Sequence, residues 1–168
     1  MAYDQRIEEL AQRHKAAEVM GGAKKGAARH AKGLLDARQR VDYLLDDGTF
    51  KEVGKFATSL NPDDHDTTPA DGKISGFGRI DGRKAAVVAN DLTVKGASSN
   101  DINAKKMSFI KRTATRNGMP IVFLGESSGA RIPDVMGAVS MGLGGQDSEQ
   151  NVRRREIPWA TAVLGPCF

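Results

Sequence analysis

The sequence predicts an α/β domain behind a helical arm, and three observations carry that expectation. Lys73–Ile80 and Arg83–Asn90 are β-rich runs joined by Asp81-Gly82, a dipeptide that favours positive φ, and together they read as a hairpin. Ser98-Ser99-Asn100-Asp101 then offers capping side chains to a helix whose one face carries Met107, Ile110 and Ala114, and Asn117-Gly118-Met119-Pro120 stops it. Finally, the apolar run from Pro120 to Leu124 reads as a buried strand that delivers a loop of small residues, Gly125 to Ala130, ending on Arg131. The unit is strand, strand, helix, strand.

The arm comes first. Ile7, Leu10, Ala11 and His14 recur at helical spacing, which predicts an amphipathic helix from Tyr3 to Val19 that Gly21-Gly22 ends. Ala23–Lys32 is a second, small-residue-rich helix, and Ala37–Leu45 a third that stops at Asp46-Asp47-Gly48. The faces of Ile7 and Leu10 and of Ala37–Leu45 are too narrow to be stable alone and are expected to pack on the domain or on a neighbouring subunit. Thr49–Val53 is a short strand. Ser59–Pro69 is polar, bounded by prolines and without period, and reads as a mobile surface loop. Val135–Asp147 is glycine-rich loop, Gln150–Glu156 a basic helix, and Ile157–Leu164 an apolar strand broken by Gly165-Pro166. The division expected is an arm over residues 1–45 and a partial domain over 46–168.

At 168 residues and 39% hydrophobic content the chain can bury one real core. It carries 25 Lys and Arg against 21 Asp and Glu, and the whole excess lies in residues 1–40. That basic stretch lacks interleaved aromatics, so it reads as a solvated helical arm and not as a nucleic-acid surface. The one cysteine, Cys167, leaves no disulfide framework and points to a reducing compartment. No run approaches the ~18 apolar residues of a membrane span. The expectation is a cytoplasmic protein that binds neither membrane nor nucleic acid.

Loops of Ser, Gly and Ala let a ligand approach the backbone, so their chemistry is done by N–H groups, which suggests an oxyanion site. Gly125-Glu126-Ser127-Ser128-Gly129 also matches the nucleophile elbow of α/β-hydrolases. There the triad order requires a histidine after the serine, and His14, His30 and His65 all precede Ser127. His65 among Asp63, Asp64 and Asp66 reads as a solvated cluster, and no metal site is expected. Arg153-Arg154-Arg155 reads first as a solvated helix face, with a phosphate-rich ligand such as coenzyme A as its functional alternative.

Several segments, in order, resemble the biotin-dependent acyl-CoA carboxyltransferases, the β components of propionyl-CoA and methylcrotonyl-CoA carboxylases and of transcarboxylase. Leu35–Phe50 is similar to that family's opening A-R-E-R, L-L-D and G-S-F pattern, and Gly76–Arg83 to its hairpin. Asn90-Asp91-Leu92-Thr93-Val94-Lys95-Gly96 resembles D-x-T-V-x-G, Ser127–Ile132 resembles S-G-G-A-R-I, and Leu164–Cys167 resembles its G-P-C turn. The resemblance implies a crotonase-like ββα spiral, incomplete here, since members run to about three times this length. It implies carboxyl transfer from carboxybiotin to the α carbon of an acyl-CoA through enolates held by backbone donors. By resemblance Gly129 and Ala130 supply one half of the acyl-CoA oxyanion hole, and Ser128, Arg131, Gly96 and Ala97 line the acyl-CoA. The partners implied are a biotin carboxyl carrier protein and a biotin carboxylase, in a homo-oligomer. The chain by itself is expected to be inactive. The sequence departs from the pattern at Glu126, Ser128, Ala97 and Pro133-Asp134. The alternative is a non-catalytic CoA-binding or assembly module on the same fold.

Overall fold

A computed structural model describes residues 2–136 and 156–167. The expected helices α1 (Ala2–Glu18), α2 (Ala23–His30) and α3 (Ala37–Leu44) lead into strands β1 (Lys51–Glu52), β2 (Lys73–Ile80) and β3 (Arg83–Asn90). Helix α4 (Asp101–Arg116) crosses from β3 to β4 (Ile121–Ser127), a single turn α5 (Ile132–Val135) follows, and β5 (Trp159–Cys167) closes the described chain. The five strands form one sheet in sequence order, antiparallel from β1 to β3 and parallel from β3 to β5. The hairpin pairs Ile80 with Arg83 across Asp81-Gly82, where Asp81 at φ 49 and Gly82 at φ 77 take the left-handed conformations the turn demands.

β3 is the centre of the core because both of its faces are covered. Alternate residues point to opposite sides of a strand, so Val87 and Ala89 pack with Ala37, Val41 and Leu45 at α3, while Ala86 and Val88 pack with Ile110 and Ala114 of α4. Burying each such valine contributes about 1.5–3 kcal/mol. Helix α4 starts where the capping residues predict: the Asn100 side chain accepts from the Asn103 N–H at 2.8 Å, and the Asn103 side chain accepts from the Asn100 N–H. The same reciprocal box, Asp36 with Gln39, opens α3. Gly76 admits β1 to the sheet edge, since a Cβ there would lie 2.7 Å from the Phe50 ring and collide with the Lys51 carbonyl.

The Ala37–Leu45 face is buried as expected, while Ile7 and Leu10, expected on the domain or on a neighbouring subunit, are 65% and 46% exposed on the single chain. Two expectations need correction. Ser59–Pro69 is not simply a polar surface loop. Pro62–Thr67 forms a 3-10 turn, and Thr68, fully buried, accepts the Ser59 N–H at 2.9 Å and donates to the Asp64 carbonyl at 2.7 Å. Gly165-Pro166 does not break β5, which runs on to Cys167 past a register shift against Gly125 and Ser127. A proline without an N–H is tolerated in a strand that, among the described residues, pairs on one side only. The Arg153–Arg155 cluster, the basic helix around it and most of the glycine-rich loop fall outside the described residues.

Candidate functional site

β4 brings the chain from the core to the surface. Leu124, Gly125, Glu126 and Ser127 are buried, and the next residues, Ser128 and Ala130, are exposed. The small-residue loop is therefore open to solvent on a rigid stem. It lies against the turn that follows β3. Ser128 N–H donates to the Gly96 carbonyl at 2.9 Å, and Ser127 Oγ to the Ala97 carbonyl at 3.3 Å. Ser99 and Ala130 form a parallel bridge, with Ser99 N–H on the Gly129 carbonyl and Arg131 N–H on the Ser99 carbonyl, both at 2.8 Å. The sequence-predicted residues Gly96, Ala97, Ser128, Gly129 and Ala130 thus come together from two loops more than thirty residues apart.

The donors differ in availability. Gly129 N–H already reaches Ser127 Oγ at 3.1 Å, whereas Ala130 N–H has no acceptor among the described residues. Gly96 has φ +66, and a Cβ on it would run into the Ser128 hydroxyl, so the close approach of the two loops requires glycine there. Its neighbours Lys95 and Ala97, at φ 46 and 52, are left-handed as well. A second left-handed turn, Ala70-Asp71-Gly72 at φ 50, 48 and 68, packs against this one, close to Val94. Non-glycine residues in this region store roughly 1–3 kcal/mol each and collect at working sites.

Arg131 does not face the open side of the loop. It is 5% exposed, and its Nη1 pairs with Asp71 Oδ1 at 2.5 Å and with Asp134 Oδ2 at 3.2 Å, while Nε donates to Ser98 Oγ. Asp134, one of the departures from the family pattern, also accepts from Ser59 Oγ and Asn100 Nδ2. Arg131 therefore fastens the loop to the left-handed turn and to the cap of α4.

Charged groups that sequence reasoning passed over surround the loop from inside. Glu126 is 1% exposed and pairs with Arg29 and Arg40 of the arm. Lys73 Nζ donates to Asn90 Oδ1 at 2.8 Å, and Asn90 Nδ2 to the Glu126 carbonyl at 2.7 Å. Lys106 Nζ donates to the carbonyls of Ala70 and Lys73. Burial pushes both lysines down to about 8. It pushes the Asp91 carboxyl up, against the Thr93 hydroxyl and N–H that its Oδ1 accepts. Asn90, Lys73 and Lys106 carried a signal, being polar positions within or facing strands whose neighbours are apolar.

Among the described residues the serine-nucleophile alternative finds no histidine base. Ser127 Oγ is spent on a carbonyl, His14 stacks edge-on against Phe56, and His30 faces Asp36 at 3.1 Å. Among the described residues no three His, Cys, Asp or Glu side chains gather to hold a metal ion, and no helix is long and apolar enough to cross a membrane. A cleft of about 640 Å³ between α1 and the β1 region is lined by His14, Arg38, Phe50 and Lys55, and none of its lining residues belongs to the two site loops.

Comparison with known proteins gives the site its context. A carboxyl transferase domain profile matches residues 28–168. The chain is 37% identical to the carboxyltransferase subunit of propionyl-CoA carboxylase from Haloferax mediterranei, over 99% of this chain and 33% of that protein. It is 33% identical to the methylmalonyl-CoA carboxyltransferase 12S subunit of Propionibacterium freudenreichii subsp. shermanii, over 96% of this chain and 31% of that one. A crystal structure of transcarboxylase 12S, a hexamer with methylmalonyl-coenzyme A bound, superposes with a TM-score of 0.83 at 31% identity, over 94% of this chain and 31% of that one. Such neighbours are crotonase-fold carboxyltransferases, and the strand, strand, helix, strand unit here is theirs. The chain spans about a third of the length of the curated relatives it matches.

Proposed function

This chain belongs to the carboxyl transferase domain family, and from that premise we propose that it serves biotin-dependent carboxylation of an acyl-CoA by holding the thioester for enolate formation. The observation that carries the reading is the Ala130 N–H, without an acceptor among the described residues, on an exposed loop fixed by bonds on either side. When the α proton of an acyl thioester leaves, negative charge develops on the thioester oxygen. A fixed N–H aimed at that oxygen lowers the barrier without reorganising, and one such donor is worth roughly 2.7–4 kcal/mol. Ala130 is that donor. Gly129 is a second, once its N–H turns from Ser127 Oγ to the oxyanion. Gly96, Ala97 and Ser128 line the approach of the acyl-CoA, and Arg131 positions the loop from beneath.

Carboxybiotin on a carrier protein would supply the carboxyl group and, once that group is released, the base for the α proton. Of the backbone N–H groups from Ser128 to Arg131, only that of Ala130 lacks an acceptor among the described residues. That suits one thioester oxygen and not a ureido oxygen as well, so the loop is assigned to the acyl-CoA and not to biotin. In this reading the protein works in the cytoplasm as a homo-oligomer with a biotin carboxyl carrier protein and a biotin carboxylase. The arm over residues 1–45 braces the domain that follows.

The test is decarboxylation of malonyl- or methylmalonyl-CoA by the intact protein, with and without free biotin. Turnover that requires biotin is expected. Acyl-CoA binding without any biotin-dependent turnover would instead make the loop part of a CoA-binding or assembly module and overturn the reading.

A further inference from the structure

The arm sends two arginines into the end of the sheet. Residues i and i+2 of a strand share a face, so Glu126 points to the same side of β4 as Leu124, which packs with Val41 of α3 and with Leu45 just beyond it. There its carboxylate meets Arg29 from α2, with Nη2 at 2.8 Å from Oε1 and 3.0 Å from Oε2. Arg40 from α3 lies on the other side, with Nη1 3.0 Å from Oε1. All three side chains are nine-tenths buried or more. Arg40 Nη2 also reaches the Leu164 carbonyl at 3.4 Å, and a Cβ on Gly165 would sit 2.5 Å from Glu126 Oε2. The carboxylate thus gathers the arm and the ends of β4 and β5 at one point.

The main chain of Glu126 is held as firmly, through Asn90 Nδ2 on its carbonyl and Lys73 on Asn90. The next residue, Ser127, bonds the Ala97 carbonyl and the Gly129 N–H. Any movement of Glu126 therefore passes within four residues to the amides of Gly129 and Ala130. One anion between two guanidiniums, all taken from water, is a weak way to gain stability, since apolar residues of similar volume often serve as well. It is an effective way to fix where a strand ends.

We infer that Glu126 is a positioning residue, held by Arg29 and Arg40 so that the helical arm sets the geometry of the Ser127–Ala130 loop. The inference rests on the loop's assignment as the oxyanion donor. The effect expected is on the reaction and not on thioester binding, because misplacing a reacting group by about 1 Å can cost about 10²-fold in rate.

The test compares Glu126→Gln with Arg29→Gln in the intact protein. The second variant leaves Arg40 to pair with Glu126 one to one and keeps the inference testable where the first does not fold. Amide hydrogen exchange is read at Ser127, Ser128, Gly129 and Arg131 and, as the internal reference, within the hairpin over Ser75–Val88, while kcat and the dissociation constant of a non-reactive acyl-CoA analogue are measured alongside. The loop should exchange about tenfold faster with the hairpin unchanged, the signature of a local opening. kcat should fall by about 10²-fold while analogue affinity holds, and Arg29→Lys, which keeps the charge, should restore part of both. Unchanged loop exchange in a folded variant overturns the inference, as does equal acceleration in loop and hairpin, which marks a purely structural pair. A loosened loop with normal kcat refutes the oxyanion assignment and leaves the mechanical link standing.

Discussion

Two lysines buried beneath the site make the protein gain stability as the solution turns alkaline. Lys73 and Lys106 are 5% and 8% exposed, and each falls from 10.5 to about 8 because burial penalises its charged form. Asp71 opposes the shift at both lysines, with Glu52 also opposing it at Lys106, while Arg131 depresses Lys73 further and Lys73 itself depresses Lys106. Between about pH 8 and pH 10.5 the unfolded chain then binds more protons than the folded one, and unfolding free energy rises with pH wherever that is so. From about pH 7.5 to 9.5 the rise is about 2 kcal/mol for each lysine, and less than double for the pair because they repel each other. Deprotonation sacrifices no bond. A neutral amine keeps two N–H groups, enough for Lys106 to serve the carbonyls of both Ala70 and Lys73. Urea unfolding followed by the fluorescence of Trp159, the one tryptophan, gives the midpoint at each pH. Lys106→Met should lose about half of the alkaline gain. At alkaline pH, where the wild-type amine is neutral, it should also cost about 1–3 kcal/mol for the donor that each carbonyl loses, although the Ala70 carbonyl keeps the Lys73 N–H. A midpoint that is flat or falls across this range, in wild type and variant alike, would refute the argument.

Two substitutions test the loops. Gly96→Ala forces a Cβ into the left-handed region and against Ser128, and should cost about 1–2 kcal/mol of strain by urea unfolding; an Ala variant as stable as wild type would show that the loops need not approach so closely. Asp71→Asn leaves Arg131 with Asp134 as its one carboxylate partner among the described residues, and should destabilise by about 3 kcal/mol, the lower end for breaking a buried pair. A loss under about 1 kcal/mol would place that pair with exposed ones.

What could be read from the sequence was local. The hairpin announced itself by Asp81-Gly82 between two β-rich runs, and α4 by the capping side chains of Ser98-Ser99-Asn100-Asp101, of which Asn100 is the cap. The site loop announced itself by composition, because only small residues allow Ser128 and Gly96 to touch. What escaped was pairing at a distance. Nothing near Glu126 in sequence says that its partners are Arg29 and Arg40, and nothing near Arg131 says that it turns inward to Asp71. Likewise Thr68 is buried because it satisfies Ser59 and Asp64 within its own loop, a bond that polarity alone does not reveal. Gly165-Pro166 looked like a stop because a proline removes a ladder donor, and the strand passes through because that donor faces no partner on its outer side among the described residues.

The central claim rests on one amide, and Ala130→Pro removes it. The substitution deletes an N–H that bonds nothing among the described residues and keeps a small side chain, with circular dichroism as the control for the fixed φ. In the intact protein kcat for biotin-dependent turnover should fall by roughly 10²–10³, while the dissociation constant of a non-reactive acyl-CoA analogue changes little, because the donor acts on charge that develops only as the enolate forms. A folded Ala130→Pro protein with near-normal kcat would show that this amide does not hold the oxyanion, and would contradict the account of the site.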